Sequence, residues 1–83
     1  MEFKKNIAFT SLIRVGGRLS EFNFRKRGEA DYDVDTSDER GNRLFLKVQL
    51  QSSDWKITNT GLPAWLMKCE EEIGEVIRNE ENK

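Results

Sequence analysis

The chain has 83 residues, enough for one domain that buries only about 60% of the surface its unfolded form would expose. Charged residues make up 35% and apolar residues 36%, with 14 Lys and Arg against 15 Asp and Glu, for a formal net charge of −1. There is no histidine and a single cysteine, which excludes histidine acid–base catalysis, Ser-His and Cys-His nucleophilic pairs, His/Cys zinc sites and an internal disulfide.

At the N-terminus, Lys4 and Lys5 precede an apolar stretch from Ile7 to Ile13, but Thr10 and Ser11 interrupt it and Arg14 closes it, so no export signal is expected. No run approaches the roughly 20 apolar residues that span a bilayer. With the lone Cys69, these features point to a cytoplasmic protein without a membrane segment.

From there the hydrophobic period is two. Ile7, Phe9 and Ile13 alternate, then Phe22 and Phe24, Tyr32 and Val34, the set Leu44, Leu46, Val48 and Leu50, and finally Trp55 and Ile57, which predicts five short strands. Gly16-Gly17 reads as a two-residue hairpin turn pairing Val15 with Arg18 and Phe9 with Phe24. A three-residue loop Arg27-Gly28-Glu29 would pair Phe24 with Tyr32 and Phe22 with Val34. The polar loop Thr36 to Asn42 would set Val34 opposite Leu44 and Tyr32 opposite Leu46. A turn over Gln51 to Asp54 brings Leu50 to Trp55 and Val48 to Ile57. Each connection keeps the apolar side chains on one face.

At Leu62 the period changes. Leu62, Leu66, Cys69, Ile73, Val76 and Ile77 recur at spacings of three and four, with Pro63 suited to a first helical position, so a helix is expected from Pro63 to Asn79. Gly74 costs about 1 kcal/mol relative to Ala inside a helix, which marks a close backbone approach to the sheet. The expected fold is α+β with two layers: a five-stranded antiparallel meander and one C-terminal amphipathic helix on one face. It is read as one domain over residues 1–79 with a disordered tail over 80–83.

The near-zero net charge conceals four blocks: +5 over residues 1–28, −6 over 29–39, +4 over 40–68 and −4 over the last fifteen. Asp31-Tyr32-Asp33-Val34-Asp35 opens like a calcium-binding loop, but Thr36 stands where that loop needs Gly and Asn42 where it needs Glu. A strand in which Asp31 faces Arg25 on one side and Lys47 on the other, and Asp35 faces Arg43, is the better reading, so no metal site is assigned. Cys69 falls on the buried stripe and reads as an inert core thiol. No carboxylate stands apart from a basic neighbour, so neither catalytic residues nor a cofactor is expected.

Two sets of residues remain as candidate contacts. Leu12 and Phe45 break the alternation rule and fall on the solvent face, and the outer edges near 5–14 and 54–58 are open to strand addition or homodimerisation. Lys4, Lys5, Arg25 and Arg27 form a basic set interleaved with Phe22 and Phe24, which supports single-stranded nucleic-acid binding as the alternative. In element order alone the chain resembles transcriptional coactivators that bind single-stranded DNA. The leading expectation is a non-enzymatic protein-interaction module.

The segments VGGRLSEFNFRK, ADYDVD, RGNRLFLKV, DWKI and LPAWLMKCEEEIGEVI, in that order, also resemble a group of short uncharacterised bacterial proteins with a β-meander followed by a C-terminal helix. The resemblance covers nearly the whole chain and implies that fold with no known activity. No functional residue is carried over from it.

Overall fold

A computed structural model describes residues 8–82. Five strands, β1 (Ala8–Val15), β2 (Arg18–Gly28), β3 (Asp31–Ser37), β4 (Arg43–Gln51) and β5 (Asp54–Ile57), form one antiparallel sheet in the order β1-β2-β3-β4-β5. Two helical segments, α1 (Ala64–Met67) and α2 (Glu70–Glu81), follow. The sheet is curled, and α2 lies nearest its two edge strands, β5 and β1, so the helix fills the inside of the curl. This is the expected α+β meander with a C-terminal helix. No helix among the described residues is long and apolar enough to cross a membrane.

The β1–β2 hairpin has the expected register, with Val15 opposite Arg18 and Phe9 opposite Phe24, around Gly16 and Gly17 at φ +56° and +89°. The next two pairings differ. Phe24 faces Val34, Lys26 faces Tyr32, and Val34 faces Leu46. Both are two-residue slips from the expected registers, and a slip of two keeps every side chain on its own face.

The cause of the first slip is a bulge between Lys26 and Gly28 followed by a turn at Glu29-Ala30, in place of a turn at Arg27-Gly28-Glu29. Neither turn residue takes a positive φ, and the bulge supplies the extra twist such a turn lacks. The Ala30 carbonyl is then held by the Leu50 N–H at 3.0 Å, tying the turn to β4. The second slip arises because Thr36 belongs to β3 and not to the loop. Thr36 is fully buried, and its hydroxyl donates to the Glu21 carbonyl at 2.9 Å. The remaining loop is organised by Asp38, whose carboxylate accepts from the N–H groups of Arg40 and Asn42.

Inside the curl, Phe22, Phe24, Tyr32, Val34, Leu46 and Val48 of the sheet pack under Leu66, Ile73 and Ile77, all at most 2% exposed. An aromatic band crosses the sheet. Phe9 stacks on Phe24 with centroids 4.7 Å apart, and Tyr32 meets Trp55 edge-on at 5.4 Å. Buried Cys69 donates its thiol to the Trp65 carbonyl, and burial, then the Glu72 charge, pushes its pKa up, away from thiolate chemistry.

The expected single helix over 63–79 is interrupted at Lys68-Cys69, and Pro63 precedes the first helical residue in an extended conformation (φ −62°, ψ 151°). The break lets α1 and α2 follow the curl separately. Gly74 meets β5 as its composition implied: a Cβ there would sit 3.4 Å from Trp55 Cβ. The expected disordered tail is helical through Glu81. Its carboxylate accepts from Lys26 Nζ at 2.5 Å and from Tyr32 Oη at 2.9 Å, with Lys26 Nζ 5.6 Å from the Tyr32 ring centre.

Burial, followed by the hydrogen bond and charge of Glu81, holds the Tyr32 hydroxyl above its ordinary pKa of 10.0. A raised pKa favours the neutral form in the folded state, so its contribution is intact below pH 10 and is lost as pH rises beyond it. Urea midpoints above pH 10 should therefore fall further for the wild type than for Tyr32→Phe; equal decline contradicts the clamp. At the β4–β5 turn, Ser52 and Ser53 occupy positive φ at +51° and +79°. Replacing them with Asn-Gly should stabilise the protein by roughly 1 kcal/mol, read as a higher urea midpoint at unchanged slope.

Candidate functional site

The outer face of the sheet, away from α2, holds the residues left over from the core. Strand alternation places Leu12 of β1, Arg25 of β2, Asp33 and Asp35 of β3, and Phe45 and Lys47 of β4 there. Arg25, Arg27 and Phe45, separated in sequence, line one shallow cleft of about 270 Å³ with Asn23, Asp33, Asp35, Lys47 and Asn59. Phe45 is 65% exposed, and the polar row Thr10–Asn23–Asp35 runs beside it. Leu12, 59% exposed, lies three strands away on β1 and joins no patch with Phe45. Lys4 and Lys5 lie outside the described residues.

Most charge in the cleft is already matched. Arg27 Nε donates to Asp33 Oδ2 at 2.6 Å, Lys47 Nζ is 3.5 Å from Asp33 Oδ1, and Arg43 Nη2 donates to Asp35 Oδ1 at 2.5 Å. Asn23 links this set to β1, donating to Asp35 at 2.9 Å and accepting from Thr10 Oγ1 at 2.7 Å. The Arg27 hydrogen bond, with the nearby Lys47 charge, holds the Asp33 carboxyl below its usual range, so it is ionised at neutral pH. The expected partners of the aspartates are corrected by the register. Asp33, not Asp31, faces both Arg25 and Lys47, while Asp35 faces Asn23 and Phe45 and reaches Arg43 diagonally. Lys26, between Arg25 and Arg27 in sequence, alternates with Phe24 onto the inner face, opposite Tyr32 and paired with Glu81. Arg25 is the cleft's one cation without an ion pair among the described residues.

The two sheet edges differ. Where β5 ends, Thr58 N–H donates to the Lys47 carbonyl at 2.8 Å, and the Asn59 amide side chain bonds both the Lys47 N–H at 2.9 Å and the Phe45 carbonyl at 3.0 Å. The outward Ile57 N–H of β5 donates to Glu70 Oε2 at 2.9 Å. These groups satisfy the β4 backbone beyond the end of β5 and one outward N–H of the short β5 strand. β1 has no such cover among the described residues. In a two-residue hairpin the flanking pair, Val15 and Arg18, exchanges both hydrogen bonds. Phe9, Ser11 and Ile13 therefore bond to β2, while Ala8, Thr10, Leu12 and Arg14 direct their N–H and C=O groups outward along roughly 26 Å of strand. Sequence periodicity located both edges but carried no signal for Asn59 or Glu70, whose roles depend on where β5 stops.

The chain matches no protein-family model, no curated protein and no solved structure. The outer-face electrostatics give a direct test of nucleic-acid binding. Wild-type protein should show no salt-dependent binding to a single-stranded oligonucleotide by fluorescence anisotropy. A double variant with Asp33→Asn and Asp35→Asn, which releases Arg27, Lys47 and Arg43, should gain it.

Proposed function

We propose that this protein is a non-enzymatic, cytoplasmic protein-interaction module that works by adding a strand to the free edge of β1, and that its partner strand is β1 of a second copy. The observation that carries the reading is the contrast between edges: one is short and partly covered by Asn59, Thr58 and Glu70, and the other offers four residues of unpaired backbone among the described residues. An uncovered edge strand of this length, rich in β-branched and aromatic residues and free of proline, is a template for pairing.

β1 is complementary to itself. An antiparallel two-fold register with Ser11 opposite Ser11 pairs Thr10 with Leu12 and Ala8 with Arg14 as hydrogen-bonded partners, and sets Phe9 against Ile13 on the inner face. Arg14, the only charge on the strand, then faces a methyl group and not its own copy. The product is a continuous ten-stranded sheet whose outer face carries two Phe45 clefts. Single-stranded nucleic acid is the alternative, favoured by the exposed Phe45 ring beside Arg25. The Asp33 and Asp35 carboxylates oppose it.

Sedimentation equilibrium separates these outcomes. The wild type should sediment as a dimer at micromolar concentration. Leu12→Pro removes only an outward N–H from an edge strand and should be a folded monomer by circular dichroism. A wild type that remains monomeric into the millimolar range contradicts the self-pairing.

A further inference from the structure

At the end of the sheet remote from the Glu81 clamp lies a second cleft, about 450 Å³, between the Gly16-Gly17 turn, the β3–β4 loop and α1. Its volume falls within the roughly 300–1,000 Å³ typical of small-molecule sites. Val15 and the half-buried Trp65 give it an apolar wall, and Arg18, Ser20, Glu39 and Arg40 stand around it. The Trp65 indole N–H has no hydrogen-bond partner among the described residues, and the Arg40 guanidinium makes no hydrogen bond or close ion pair among them, its charge acting only at longer range on Asp38.

The two carboxylates in this cleft are not equivalent. Asp38 is spent on its own loop, accepting from Arg40 N–H at 2.9 Å, Asn42 N–H at 2.8 Å and Asn42 Nδ2 at 3.1 Å. Glu39 is only loosely held, 3.7 Å from Arg18, with both side chains more than half exposed. Such a pair contributes little and yields readily to a competing anion. Two guanidiniums thus stand around an aromatic and aliphatic wall, with the loosely held Glu39 carboxylate beside Arg18 and Asp38 near Arg40. We propose that this cleft binds an apolar or aromatic monocarboxylate, its acid group held by Arg18 and Arg40 and its body lying on Trp65 and Val15. A dianion such as a phosphate monoester fits less well, because Glu39 and Asp38 line the same space. The acid is either a free small molecule or the C-terminal carboxylate of a chain ending in an apolar residue.

NMR titration of the intact protein tests this through the Trp65 indole N–H, with the buried Trp55 indole as internal control. The probes are 4-phenylbutyrate, N-acetyl-Leu-Phe and its C-terminal amide. Either acid should shift the Trp65 signal saturably with a Kd near 1 mM, while the amide does not saturate. Arg40→Gln should weaken acid binding about tenfold with the Trp55 signal unmoved, as expected for loss of one charge-assisted hydrogen bond. Tighter binding of the peptide acid than of phenylbutyrate identifies a chain terminus as the source, and the reverse identifies a free acid. A Trp65 signal that no acid saturates, or an amide that binds as tightly as its acid, overturns the proposal.

Discussion

The packing of α2 inside the curled sheet is the constraint on which the rest of the molecule depends. A chain this short cannot cover both faces of a five-stranded sheet, so the sheet bends around its one long helix and buries a single face. Three contacts fix the helix along its length. Glu70 accepts from the Ile57 N–H at the start, Gly74 lets the backbone lie against Trp55 in the middle, and Glu81 is held by Tyr32 and Lys26 at the end. The first of these also occupies an outward N–H of the β5 edge.

The difference between the two sheet edges links packing to function. Asn59 imitates a strand where β5 stops short, filling hydrogen-bond positions that β4 would otherwise expose. On the opposite side, α2 approaches β1 from within the curl and leaves the outward backbone groups of Thr10, Leu12 and Arg14 unoccupied among the described residues. The charges follow the same geometry. The acidic β3 lies between the basic residues of β2 and β4, so the blocks seen along the sequence neutralise one another across strands. Exposed pairs of this kind stabilise by only tenths of a kcal/mol, and their larger effect is to leave Arg25 as the cleft's one cation without an ion pair among the described residues.

Much of this was legible in the sequence because side-chain alternation is insensitive to the errors a sequence reading makes. Two strand pairings were expected two residues from their actual positions, yet Phe24, Tyr32, Val34 and Leu46 all face the core, because a slip of two preserves the face. The bulge at Arg27 and the entry of Thr36 into β3 were not legible. A bulge leaves no mark in the hydrophobic period, and Thr36 is polar but satisfied through the distant Glu21 carbonyl. The helix break at Cys69 was hidden because the apolar spacing of Leu66, Cys69 and Ile73 continues through it. Of the candidate contact residues, Arg25, Arg27 and Phe45 converge on one cleft while Leu12 marks the separate open edge. The Arg18, Arg40 and Trp65 grouping required the hairpin, the loop and α1 to be placed in space.

The account turns on whether the outward backbone groups of β1 are free in one molecule and occupied in two. Amide hydrogen exchange by NMR reads this residue by residue. In dilute solution the amides of Ser11, Ile13 and Val15 should be protected and those of Thr10, Leu12 and Arg14 should exchange quickly; raising the protein concentration should protect the second set and leave the first unchanged. Protection of Thr10, Leu12 and Arg14 that is independent of concentration, or their continued fast exchange in concentrated solution, would contradict it.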